Sequence, residues 1–155
     1  MTEVKNNQQQ NIRLLAVKAL SDINRNGAYA NIKLQEYLQK YHLSDLDRRF
    51  FTELVYGVIR RKNYLDAIIV YFAKRPLKKL SSMVVEILRL GIYQIIYMDK
   101  VPESAAVNES VKLAKKLTRG LSGFVNAILR SVLRESDSIS IGELAKSEAE
   151  EISFI

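Results

Sequence analysis

The run from Met83 to Met98, MVVEILRLGIYQIIYM, limits the architecture more than any other stretch of this chain. Its plainly polar residues are Glu86, Arg89 and Gln94. As a helix rising about 1.5 Å per residue it would span roughly 24 Å, one diameter of a small domain. On a wheel of about 100° per residue, Glu86, Arg89, Tyr93 and Tyr97 fall within about 80° of one another, with Gln94 beside them. More than half the circumference is then apolar, and a helix of that kind must be covered on several sides. A membrane span is the rival reading. It fails because spanning needs about 20 apolar residues and this run carries two charges near its middle. A central core helix is the expectation, with no membrane contact.

The rest of the chain reads as helices that pack on this one. Ile12, Leu15, Ala16, Ala19, Leu20 and Ile23 keep the i, i+3, i+4, i+7 spacing of a first helix from about Gln10 to Asn24, which Gly27 ends. Ala30, Leu34, Leu38 and Tyr41 mark a second, with His42 just past its end as a loop residue. Ser44 or Asp45 caps a third, whose apolar face is Phe50, Phe51, Leu54, Val55 and Val58. Arg49 and Glu53, four apart on its outer side, are spaced to pair. A fourth helix holds Tyr64, Leu65, Ile68, Ile69 and Phe72 and stops before Arg75-Pro76, since proline disfavours a helical predecessor.

The loop that follows, AKRPLKKLSS, is strongly basic. Beyond the central helix, Val107, Val111 and Ala114, with Leu113 and Leu117, form the inner side of a sixth helix. Leu121, Phe124, Val125, Ile128, Leu129 and Val132 form that of a seventh. With two prolines and six glycines in 155 residues, the expected fold is all-α, about seven helices around the central one. Residues 1–9 read as a disordered N-terminus, 10–134 as one helical domain and 135–155 as an acidic linker.

Charge is divided unevenly along the chain. Glu135 to Ile155 holds six acids and one base, so the preceding residues carry 23 bases against 11 acids. A positive field of that size attracts nucleic acid, an anionic membrane face or an acidic protein, and composition does not choose among them. Lys112, Lys115, Lys116 and Arg119 stand at i, i+3, i+4 and i+7. They form a cationic stripe that repels itself unless an anion or an acidic neighbour compensates it. The absence of cysteine removes a disulfide framework, a thiolate zinc site and a cysteine nucleophile. The opening MTEVKNNQQQN has neither the apolar run of a signal peptide nor the arginine-rich pattern of a transit peptide, so the cytoplasm is the expected location.

Three runs resemble the NusB-like helical domain: DRRFFTELVYGVIRRKNYLD from Asp47, LRLGIYQIIYMDKVPESAAVNESVKLAKK from Leu88 and GFVNAILRSVLR from Gly123. Tyr93-Gln94, Ala105-Ala106-Val107-Asn108-Glu109 and Asn126-Ala127 with Arg130 are more similar to the N-terminal domain of the RsmB type of ribosomal RNA cytosine-C5 methyltransferase than to the free-standing antitermination factor. The resemblance implies packed helix pairs that hold RNA, and an acidic linker leading toward a methyltransferase half.

That half would supply two cysteines and an S-adenosylmethionine fold. The present sequence has no cysteine and no G-x-G-x-x-G after a strand, so no catalytic residue, metal or cofactor is expected in it. Asn108, Glu109, Asn126 and Arg130 look like the polar part of the family signature. They are expected either to touch RNA or, the favoured reading, to form a buried network joining helices five, six and seven, with Arg89 and Glu109 as one pair. Gly57, Gly91 and Gly123 are expected to be packing glycines.

The expected function is an RNA-binding accessory domain of such a methyltransferase, with ribosomal RNA and the catalytic domain of the same chain as partners. Arg13, Lys18, Arg60, Arg61, Lys62, Lys112, Lys115, Lys116 and Arg119 are expected to grip phosphates. The alternatives are a free-standing antitermination factor, which joins a ribosomal protein and RNA, and a protein docking module.

Overall fold

A computed structural model describes residues 12–27 and 29–136. Among them lie seven α-helices: α1 (Ile12–Asn26), α2 (Ala30–Tyr41), α3 (Asp45–Arg60), α4 (Lys62–Ala73), α5 (Ser82–Tyr97), α6 (Glu103–Leu117) and α7 (Ser122–Glu135). One 3-10 turn, Leu77–Lys79, follows α4, and no strand occurs among the described residues. The all-helical expectation therefore holds, and the central run became α5. Of the expected termini, 1–9 and 135–155, only Glu135 and Ser136 are among the described residues, Glu135 ending α7 and Ser136 capping it.

The chain divides into two compact units, one running to Ile59 and the other from Arg60 onward. In the first, α1 differs from the one-sided helix that its spacing suggests. From Ile12 to Leu20 every residue except Arg13 and Lys18 is buried, so this helix is covered almost all round. Phe51 on α3 is fully buried and meets Tyr37 of α2, ring centroids 5.9 Å apart. Phe50, expected beside it in the core, is only half-buried and lies under the guanidinium of Arg13 at 5.1 Å. Ser44 is the cap of α3, its Oγ accepting from the Asp47 N–H at 3.2 Å. Arg49 does not pair with Glu53; its Nε donates instead to the Asp45 carbonyl at 3.4 Å. His42 is exposed and closes α2 in the left-handed region, φ 47°.

In the second unit α5 is the core, packed against α4, α6 and α7. Eleven consecutive residues, Val84 to Gln94, are buried, more than three full turns. Three helices converge at Gly91, where an added Cβ would lie 2.8 Å from Ser110 Oγ of α6 and 3.0 Å from Leu129 Cδ1 of α7. Gly91 is thus a packing glycine, as expected, and Gly57 is buried. Gly123 is not: nothing lies within 4 Å of the position its Cβ would take.

Because α5 is buried on all sides, its polar stripe is buried too, and the two charges on it need partners. Arg89 finds one on α4 and one on α5 itself, and none on α6. Its Nε and Nη2 donate to Asp66 Oδ1 and Oδ2 at 2.6 and 2.9 Å, and its Nη1 donates to Glu86 Oε1 at 3.0 Å. This corrects the expected Arg89–Glu109 pair. No buried side-chain nitrogen or oxygen among the described residues lacks a hydrogen bond.

Candidate nucleic-acid interface

The expected buried network around Asn108 does not form, because its members face outward. Asn108 and Arg130 are exposed, and Glu109 and Asn126 are half-buried. Glu109 pairs with Lys112 at 3.4 Å, and Asn126 Oδ1 accepts from Arg130 Nε at 3.3 Å. Both contacts run along one helix surface at i,i+3 or i,i+4 spacing, where charged and amide side chains neighbour one another without joining helices. The residues that do fill the α5–α6–α7 junction are small or apolar, Gly91, Ser110 and Leu129, with Ser110 Oγ donating to the Ala106 carbonyl at 2.7 Å.

The outward face of α6 carries Lys112, Lys115 and Lys116, all exposed and within about 100° of the helix circumference. Arg119 does not continue their stripe. The helix ends at Leu117, with Thr118 Oγ1 donating to the Ala114 carbonyl at 2.6 Å, and Arg119 sits in the following turn beside Gly120, φ 69°. Lys115, Lys116 and Arg119 have no carboxylate within 4 Å among the described residues. Two of these charges lie in the last turn of α6, where cations also offset the exposed carbonyls and the helix dipole. Lys112 differs from them, since Glu109 3.4 Å away offsets part of its charge.

A second cationic group stands at the α3–α4 junction. Arg60 ends α3, Arg61 occupies the N-cap of α4 and Lys62 begins it. Arg60 and Arg61 are exposed, and Lys62 is half-buried. The Arg61 guanidinium lies 4.8 Å from the centroid of the Tyr97 ring at the end of α5, and Tyr97 in turn packs on Tyr93 at 5.3 Å. Stacking on an aromatic ring holds a guanidinium flat without neutralising it, so Arg61 stays available to phosphate.

Arg13 and Lys18 on α1 form no such cluster. Five residues of helix separate them by about 140°, and Arg13 is half-buried over Phe50 while Lys18 is exposed. Among the described residues no group of three His, Asp or Glu side chains could hold a metal ion, and no helix is long and apolar enough to cross a membrane. Spacing alone missed Asp66 as the partner of Arg89. The signal was a lone acid inside LDAIIVYF, a position that burial makes costly without a cation.

A family model described as the NusB family matches residues 10–134, across both units. The chain is 45% identical over 141 residues to the Synechocystis sp. protein named "Probable ribosomal RNA small subunit methyltransferase B", which covers 84% of this chain but 32% of that protein. The chain thus spans about a third of the length of that relative. Among solved structures it is similar to NusB of T. maritima, at 25% identity and a TM-score of 0.75, covering 87% of this chain and 96% of that one. It shares its fold with a chain of the antitermination factors NusB and NusE in complex with dsRNA, at 21% identity and a TM-score of 0.73, covering 83% of this chain and 97% of that one. With seven helices among its described residues, a buried α5 and a family match over 10–134, this chain belongs to the NusB family.

Proposed function

We propose that this chain is the RNA-binding accessory domain of a ribosomal RNA cytosine-C5 methyltransferase, positioning RNA for catalysis carried out elsewhere in the protein. The observation that carries this reading is the 45% identity with a methyltransferase B relative, confined to about a third of that protein. The exposed cations Lys115 and Lys116 of α6 and Arg60 and Arg61 at the α3–α4 junction, none with a carboxylate within 4 Å among the described residues, supply a physical means. Lysine and arginine contacts of this kind fix register on a phosphate backbone and carry no sequence information. The exposed Asn108 and Arg130 are further candidates for RNA contact.

The chemistry of methyl transfer does not fit these residues. The sequence has no cysteine to add to the cytosine ring, and the described residues include no strand to carry an S-adenosylmethionine cleft. The domain itself is therefore non-catalytic in this reading, its partners are ribosomal RNA and a catalytic domain in the same polypeptide, and its location is the cytoplasm.

A second reading, a free-standing antitermination factor that joins RNA and a ribosomal protein, is favoured by one observation: the matched region covers nearly the whole of the T. maritima NusB chain. The test is binding of ribosomal RNA across a salt series, alone and with a separately produced methyltransferase half. Salt-sensitive binding plus capture of that half supports the first reading. Binding to RNA and a ribosomal protein without it supports the second, and absence of RNA binding at low salt removes both.

A further inference from the structure

The basic loop between α4 and α5 takes no part in the surfaces described so far. Lys74, Arg75, Lys78 and Lys79 are all exposed, and none has a carboxylate within 4 Å among the described residues. Backbone geometry sets the path of the loop. Lys74 ends α4 in the left-handed region at φ 56°, its N–H donating to the Val70 carbonyl at 2.9 Å, and Pro76 opens the 3-10 turn. Where this loop meets the starts of α5 and α7, there is an open groove of about 290 Å³. Leu80, Val84, Leu121 and Phe124 give it apolar walls, and Arg75 and Lys79 add two positive charges. The Arg75 guanidinium lies 5.4 Å from the centroid of the Phe124 ring. Ser81 also lines the groove, but its Oγ accepts from the Val84 N–H at 3.5 Å and so serves as the cap of α5.

We propose that this groove binds one unpaired nucleotide of RNA, with the base on the apolar walls and the Arg75–Phe124 pair and the phosphate on Lys79. Three features select that occupant. The volume lies at the lower limit of small-molecule clefts, about 300 Å³, which suits a single base rather than a base pair. A guanidinium lying 5.4 Å from an aromatic centroid sets two flat groups side by side, and flat side chains of these two kinds are the usual platforms for unstacked bases. Uncompensated cations beside apolar walls match a ligand that is flat and apolar at one end and anionic at the other. An acidic peptide with aliphatic anchors is the competing occupant, since it shares the charge and lacks the flat ring.

The inference rests on the RNA-binding reading, and the experiment separates the two. Single-stranded RNA carrying one 2-aminopurine is titrated into the 155-residue chain, with Arg75→Lys and Phe124→Leu as variants and their melting temperatures as the control for folding. Stacking quenches the fluorophore, and each variant is expected to lose most of that quenching and to weaken single-strand binding about 5-fold or more, as loss of one base stack does. Arg75→Lys keeps the charge, so an effect there reports the planar stack and not electrostatics. Normal binding with unchanged quenching in both variants would overturn the groove while leaving the RNA reading intact. Duplex RNA, or an acidic leucine-containing peptide, displacing the probe as well as single-stranded RNA would overturn it too. No RNA binding by the unaltered chain would take down both.

Discussion

Arg89 on α5 and Asp66 on α4 form a two-pronged ion pair, Nε to Oδ1 at 2.6 Å and Nη2 to Oδ2 at 2.9 Å, with both side chains about one-tenth exposed. Glu86, one turn before Arg89, completes a triad of two acids and one base. Burial pushes the Arg89 pKa down, but hydrogen bonds and charge from Asp66, then Glu86, outweigh it and hold the guanidinium above its ordinary value. Removing the cation would leave two buried carboxylates facing each other. Arg89→Leu is expected to cost about 3–5 kcal/mol, and replacing all three residues with leucine or methionine to recover most of that loss. Urea denaturation of the two variants checks this; a triple variant no more stable than Arg89→Leu would refute the desolvation account.

Tyr37 provides a test of pH dependence. Its hydroxyl donates to Asp22 at 2.9 Å, and burial, followed by the Asp22 hydrogen bond and charge, raises its pKa well above the ordinary value near 10. Above about pH 10 the unfolded chain releases this proton while the folded chain keeps it, so the unfolded state binds fewer protons and stability falls as pH rises. Tyr37→Phe retains the ring contacts with Tyr41 and Phe51 and loses the hydrogen bond. It is expected to cost about 1 kcal/mol at pH 7 and to flatten the fall above pH 10. Equal alkaline slopes in thermal melts of both proteins would contradict it.

Two glycines should respond in opposite directions to alanine. At Gly91 the new Cβ would press on Ser110 Oγ, which is fixed by its bond to the Ala106 carbonyl, and on fully buried Leu129. Overpacking of about 1–3 kcal/mol then outweighs a helix-propensity gain of up to about 1 kcal/mol. At Gly123 the space is open, so Gly123→Ala should stabilise by about 0.5 kcal/mol. Melting temperatures that move the same way in both variants would show that the α5–α6–α7 junction is looser than its geometry implies.

The cations of α6 should differ in their worth to RNA binding. Changing Lys115, Lys116 and Arg119 to glutamine is expected to lower the slope of log affinity against log salt by about 2, given about 0.7 per phosphate contact on single strands. Lys112→Gln should change it less, since Glu109 already stands 3.4 Å from its Nζ. A filter-binding salt series on both variants checks this, and an unchanged slope in the triple variant would remove this face from the interface.

Most of the helical framework was legible in the sequence because apolar spacing and capping residues act locally. Ser44 caps α3, Gly27 turns the chain after α1 with φ 64°, and the Met83–Met98 run became the most buried helix of its unit. The candidate site was legible only in part. That Lys112, Lys115 and Lys116 share a face follows from helix geometry. Arg119 left the stripe because α6 stops at Leu117, and the Asn108 and Asn126 groups turned outward because small residues filled the junction instead.

Sequence by itself determined which residues would be helical, which faces would be apolar and where positive charge would accumulate, since each depends on neighbours within a turn or two. Tertiary structure alone decided which acid neutralises Arg89, that Gly91 and not Gly123 is pinned by its neighbours, and that Arg75 meets the Phe124 ring across 49 positions of sequence. Those outcomes depend on how helices cross. A residue's periodicity states which way it faces along its own helix, and the partner it meets there is set by the packing of another.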